Sequence, residues 1–347
     1  MKWWKILGVV IVIAVHVAGL LIPIGIGITG VSPYQLSGGN NITLNVQTYN
    51  ADLSHKADDI RAWLKYDNDH LIQAGSISVS TESSIDAAFE IPNNLPKDKL
   101  KSDLTLIVDF PDQGTAILPG AVYIMESGNN VSNNAAWTNL TLSDLNVKTI
   151  LHFPYRSILL ETIRNTYFHV SLWMAMMLLL MIAVYYSVRV LRSNHLLDDA
   201  KSNGYTEVGF LFGILGLLTG MVWAKYTWGR PWSWDIKQIT TAIALLIYAA
   251  YFLLRTALDD PYKRARISAI FNIFAFIALI PLLYILPRMS ESLHPGNGGN
   301  PAMGGEDLDN TMRMIFYPAI IGWALVGAWI AQLRYRVKNL ENISNKI

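Results

Sequence analysis

The chain has 347 residues, 52% of them hydrophobic and only 15% charged, against roughly 25% charged in ordinary soluble domains. Its 27 Lys and Arg nearly balance 26 Asp and Glu, which leaves no basic excess for nucleic acid. With no cysteine, disulfides, zinc–thiolate centres and Cys nucleophiles are excluded.

Six apolar stretches reach the ~20 residues that a membrane-crossing helix needs: approximately residues 6–30, 168–188, 207–224, 238–254, 267–287 and 315–333. They predict an α-helical polytopic membrane protein with six transmembrane helices. The first stretch far exceeds the ~7–15 residues of a signal-peptide core, and no small-x-small cleavage site follows it. It reads as a retained anchor over residues 1–30. Residues 161–347 then form a five-helix membrane domain with a cytoplasmic tail.

The basic residues orient these spans. Thirteen of the 27 fall at one set of ends, among them Lys2, Lys5, Arg189, Arg192, Arg255 and Arg334. Only five occupy the short loops at the other: Lys225, Arg230, Lys237, Arg288 and Arg313. Both termini are therefore expected in the cytoplasm of a bacterial cell, the spans in its inner membrane, and residues 31–167 outside.

Residues 31–160 have the pattern of a folded insertion. Short alternating runs (Ile42–Tyr49, Ser76–Thr81, Leu104–Phe110 and Ala121–Met125) are separated by Asn, Gly, Pro and Asp clusters. A β-rich, sandwich-like extracytoplasmic domain between helices 1 and 2 is expected, with one helix around Asp58–Tyr66. His55, His70 and His152 lie in it as scattered surface histidines, and no catalytic motif is evident.

Chemistry concentrates in residues 220–241. Of the 11 Trp in the chain, Trp223, Trp228, Trp232 and Trp234 fall here, interleaved with Gly229, Pro231 and Asp235. An aromatic belt at the bilayer surface explains one or two Trp per helix end, not four in a turn-prone run. Rings at this density make a shelf for a large flat ligand. His169, opening the second span, and His294, in the loop after the fifth, belong to the same outer face. Imidazole is a common axial ligand of haem iron, and two neutral imidazoles can hold it from both sides. The five outer cations are available to the haem propionates, with interfacial snorkelling as their ordinary alternative. Asp235 can cap the fourth helix or pair with Lys237 or Arg230. His16, inside the first span, reads as a helix–helix hydrogen bond.

The run Trp228-Gly229-Arg230-Pro231-Trp232-Ser233-Trp234-Asp235 resembles the tryptophan-rich WGxxWxWD signature of the haem-handling proteins of cytochrome c biogenesis. Within that superfamily the chain looks most like the haem exporter protein C (CcmC) family. The resemblance covers residues 5–30 loosely and about 160–333 well. His169 in YFHVSLWMAMM and His294 in SLHPG match the two family histidines. Pro231 stands where the family often has Trp, Lys237 replaces an Arg, Ser171 replaces a Pro, and residues 31–160 fill the place of a short connection.

The resemblance implies that His169 and His294 are axial ligands to non-covalent haem b. It makes Trp228, Trp232, Trp234 and Asp235 the edge that meets haem and chaperone; Trp223 of the ring shelf and the outer cations Arg230 and Lys237 stand beside them as cofactor-binding candidates. It also implies presentation of haem to a periplasmic CcmE-like haem chaperone, alongside CcmD and the ABC-transporter-like CcmA and CcmB. The chain reads as a haem delivery protein rather than an enzyme. Two alternatives remain: a CcsA-like lyase that attaches haem directly to apocytochrome c, and a b-type electron-transfer cytochrome. The second lacks paired histidines within the spans. No phosphate-binding GxxxxGK[ST] run is present.

Overall fold

A computed structural model describes residues 2–54, 59–96, 101–125, 136–138, 142, 145–146, 151–157, 159–294 and 308–344. His55 lies outside them. The chain divides into two compact units, one formed by residues 1–21 and 161–347 and the other by residues 22–160.

The first unit is helical. Its elements are α1 (Trp3–Leu21), α2 (Ser171–Ser193), α3 (Leu196–Trp228), α4 (Ile236–Thr256), α5 (Pro261–Ile280) and α6 (Asn310–Ser344). All six helical segments are long and apolar enough to cross a membrane. Their outward faces carry Ile13, Leu246, Leu253 and Phe274, each more than half exposed, an apolar exterior that a water-soluble bundle avoids.

Inside the bundle, Leu172, Met176, Leu179, Tyr205, Phe212 and Tyr248 pack together. Buried polar groups hold α2, α3, α4 and α5 to one another. Fully buried Asn272 donates to Ser187, Ser202 and Thr206 at 3.1–3.3 Å, and Arg255 forks onto Asp199 at 2.7 and 2.8 Å. Away from water such bonds have no competitor, so they fix helix register.

The second unit is a two-sheet sandwich. One sheet has the order β1 (Gly27–Ser32), β3 (Asn41–Tyr49), β7 (Ser84–Glu90) and β6 (Ser76–Thr81). The other has β2 (Gln35–Ser37), β9 (Gly114–Met125), β8 (Lys101–Phe110), β4 (Arg61–Lys65) and β5 (Leu71–Gln73). Inward residues of both sheets, such as Leu44, Val46, Phe89, Leu106 and Val108, share one core, as alternation in the strands requires.

Two expectations change here. The first apolar stretch does not run to residue 30: α1 stops at Leu21, and Gly27–Ser32 form a strand. Pro23, Gly25 and Gly27 break helical continuation, and unbroken hydropathy conceals the change of structure. The expected helix around Asp58–Tyr66 is also replaced. Arg61–Lys65 is strand β4, with Ala62, Trp63 and Leu64 buried between β5 and β8. Tertiary burial overrides the local helical pattern.

Candidate functional site

The residues singled out in the helical unit gather at the end of α3, the start of α4 and the segments before α2 and after α5. The entry to α2 is a π-helical turn, Thr166–Val170, which carries His169. Such turns misalign backbone carbonyls, and Ser171 Oγ compensates by donating back to the Tyr167 and Phe168 carbonyls.

His169 faces α3 at two glycines one turn apart. Its Nδ1 lies 2.8 Å from the Gly216 carbonyl and 3.3 Å from Thr219 Oγ1. A β-carbon at Gly220 would stand 2.6 Å from the imidazole Cε1, and one at Gly216 would stand 2.8 Å from the Trp173 indole. Only glycine permits this approach. Trp173 and Trp223 stand edge-on to His169 with centroids at 6.3 and 5.8 Å, and Trp223 Nε1 donates to Thr162 Oγ1 at 3.1 Å. A carbonyl oxygen can only accept, so Nδ1 carries the proton and Nε2 retains its lone pair.

His294 reaches the same condition by another route. Its Nδ1 lies 2.8 Å from Asp235 Oδ1, again an accept-only partner, so Nε2 again keeps its lone pair. Trp228 meets the His294 ring edge-on at 4.7 Å.

Asp235 is the centre of this region, with a side chain only 2% exposed. It caps α4 by accepting from the Lys237 amide at 2.9 Å. It also accepts from Ser292 Oγ at 3.0 Å and the Leu293 amide at 2.7 Å. Burial pushes its carboxyl up, but the hydrogen bonds from His294 and the Leu293 amide outweigh that and hold it well below the ordinary carboxylate range. For a depressed carboxylate, the resulting stabilisation is complete above the ordinary pKa. It is lost only as pH falls through the lower folded value. Capping and pairing are thus combined, and the side chains that pair with Asp235 include His294 and Ser292.

The four tryptophans do not share one loop. Trp223 and Trp228 belong to α3, which ends at Gly229 in the left-handed conformation with φ 78°. No proline precedes Gly229 in this helix, so it runs through both rings. Trp232 and Trp234 lie beyond it, edge-on to each other at 5.8 Å, and Trp234 is 74% exposed. The turn between them is held by Gln238, which accepts from the Ser233 amide at 2.8 Å and donates to the Pro231 carbonyl at 3.2 Å.

Among the cations expected on the outer side, Arg230 is exposed and has no hydrogen bond or ion pair among the described residues, while Lys237 is half-buried. Lys225 is engaged with the Gly229 carbonyl at 3.1 Å and Arg313 with Asn310 at 3.3 Å. His16 stands apart from the expected interhelical bond. Its Nδ1 contacts Val12 O of its own helix at 2.6 Å, with Phe168 and Trp323 edge-on.

The supporting residues Gly216, Thr219, Gly220, Gln238 and Ser292 carry no chemistry of their own in sequence. A glycine pair at i and i+4 in an apolar helix was the one available signal, and it marks close packing generally.

These residue types suit haem: two imidazoles with fixed tautomers, each flanked by indole edges, and a guanidinium, that of Arg230, with no partner among the described residues. The family model for heme exporter protein C matches residues 130–346, leaving β1–β9 outside the match. Heme exporter protein C of Bradyrhizobium diazoefficiens is 28% identical over 52% of this chain and 70% of its own length. The Paracoccus denitrificans protein of the same name is 24% identical over 51% of this chain and 73% of its own. Cytochrome c biogenesis protein CcsA of Prochlorococcus marinus is 44% identical over a shorter stretch, 20% of this chain and 22% of its own.

Proposed function

The chain belongs to the heme exporter protein C family, and from that premise we propose that it handles haem for cytochrome c biogenesis at the outer face of a bacterial inner membrane. His169 and His294 hold the iron of non-covalent haem b through their Nε2 atoms. Trp223 and Trp228 back the two imidazoles, Arg230 and Lys237 meet the propionates, and Trp232 with Trp234 forms the edge from which haem passes to a CcmE-like chaperone. Asp235 acts through His294, fixing its tautomer and the orientation of its ring. The basic-residue asymmetry supports cytoplasmic termini, with residues 22–160 and the histidines outside. CcmD and the CcmA and CcmB subunits are the expected assembly partners.

The observation that carries this reading is the matched state of the imidazoles: each donates Nδ1–H to an accept-only oxygen and leaves Nε2 for iron. Detergent-purified protein is expected to show a low-spin haem spectrum. The His169→Ala/His294→Ala double variant should lose it, and an unchanged spectrum refutes the assignment.

A second reading has one observation in its favour, the short segment shared with CcsA. In that reading the chain attaches haem directly to apocytochrome c. Co-expression with apocytochrome alone separates the two, since covalent haem on the cytochrome without a chaperone favours the lyase.

A further inference from the structure

Glu207 is the first residue of the apolar stretch 207–224, and its carboxylate stands where α3 meets the end of α6. The helices approach closely there, since a β-carbon at Gly204 would lie 3.1 Å from the Ala331 carbonyl oxygen. Arg334 Nε is 3.0 Å from Glu207 Oε2, Lys338 Nζ pairs with Oε1, and Asn203 Nδ2 donates to Oε1 at 2.9 Å. Arg334 and Lys338 lie one turn apart on α6. Two cations thus share one carboxylate, and Arg334 is half-exposed.

Cations at this end need no carboxylate to orient the chain or to reach the interface. A carboxylate in the first turn of a span lowers the positive charge and is costly to desolvate. What it adds is placement. Glu207 holds an arginine and a lysine of α6 against α3, so their rotamer freedom is already reduced before a ligand arrives. A guanidinium held at Nε can still fork an oxyanion with its terminal nitrogens.

The rest of this α3 face decides the ligand class. Leu211, Leu215, Leu218 and Val222 follow Glu207 at helical spacing, in one stripe that continues from it. Each is more than a third exposed. A cation pair at the foot of an apolar stripe matches an amphiphile, with its phosphate at the foot and an acyl chain along the stripe. A soluble phosphate would use the foot alone.

We propose that Arg334 and Lys338, braced by Glu207, bind the headgroup of an anionic phospholipid whose acyl chain lies along residues 211–222 of α3. The site rests on the inner-membrane reading of the helical unit and is independent of His169 and His294.

The test is thermal unfolding of the full-length protein in nanodiscs of phosphatidylcholine, alone or with phosphatidylglycerol, with retained lipid read by native mass spectrometry. Wild type is expected to unfold at higher temperature with phosphatidylglycerol and to retain it. Arg334→Gln/Lys338→Gln should lose both effects while unfolding in phosphatidylcholine as wild type does. Lys263→Gln/Arg266→Gln, which removes the same charge from exposed positions on α5, should keep them. Arg334→Lys, which keeps the charge without the fork, should retain less lipid than wild type; it decides the matter if the double variant fails to fold, and retention equal to wild type then overturns the proposal. Equal behaviour of wild type in the two bilayers, or equal loss in both double variants, also overturns it. Glycerol phosphate should leave the unfolding temperature unchanged, and a rise equal to that with phosphatidylglycerol assigns the site to a soluble phosphate instead. A wild type that does not enter the bilayer refutes the membrane reading, and this site with it. The haem spectrum of Arg334→Gln/Lys338→Gln should match wild type, so lipid selectivity stands even where His169→Ala/His294→Ala refutes the haem ligands.

Discussion

His169 and His294 are oriented by different physics. His169 is held by backbone: the Gly216 carbonyl accepts its proton, and the absence of a side chain at Gly220 admits its ring. No charge takes part in that grip. His294 is held by the Asp235 carboxylate, which also anchors the Leu293 amide and Ser292 and caps α4. The backbone grip can be changed only by altering how α3 packs on the α2 entry. The carboxylate grip can be removed with one side chain, and α4 and residues 292–294 lose their common anchor with it.

That contrast ranks the expected effects of substitution. Asp235→Ala strands several donors at once, and is expected to cost about 2–4 kcal/mol by thermal unfolding in detergent and to release haem. Asp235→Asn should retain the cap but weaken haem retention. If both variants behave as wild type, the charge-held half of the contrast is wrong.

Gly220→Ala should cost about 1–3 kcal/mol because the new β-carbon overlaps the imidazole. A haem spectrum perturbed through His169 alone would sharpen the distinction, whereas normal haem binding would show that the wall is soft. Gln238→Ala releases the Ser233 amide and Pro231 carbonyl and is expected to cost about 1 kcal/mol. Its haem content should stay intact and its transfer to a chaperone should slow. Trp234→Ala, at an exposed ring, should change stability by less than about 0.5 kcal/mol, so any defect must appear in transfer kinetics.

Legibility in sequence followed the range of the forces involved. The six spans were readable because ~20 apolar residues in a row have few other uses. Strands β3, β6, β8 and β9 were readable from alternation and turn residues. β4 was not, because Ala62-Trp63-Leu64 is buried on both faces and has no period of two. The end of α1 was hidden by the same continuity, since Ile22–Ile28 stays apolar while changing from helix to strand. His169, His294 and the tryptophan run stood out as residue types with chemistry. The residues that aim them did not, because Gly216, Gln238 and Ser292 acquire a role only from what they face.

By itself, then, the sequence determined the helical, membrane-compatible class of the larger unit, the presence of a β-rich insertion, and the cast of imidazoles and indoles. Composition and periodicity record which groups must avoid water, and those choices are local. Only the tertiary structure decided which nitrogen of His169 and of His294 is left for a ligand, that Asp235 belongs to His294, and that Trp223 and Trp228 stand against different imidazoles. Those are matters of hydrogen-bond direction across 47 and 59 residues of chain. A partner so distant is chosen by packing, not by spacing.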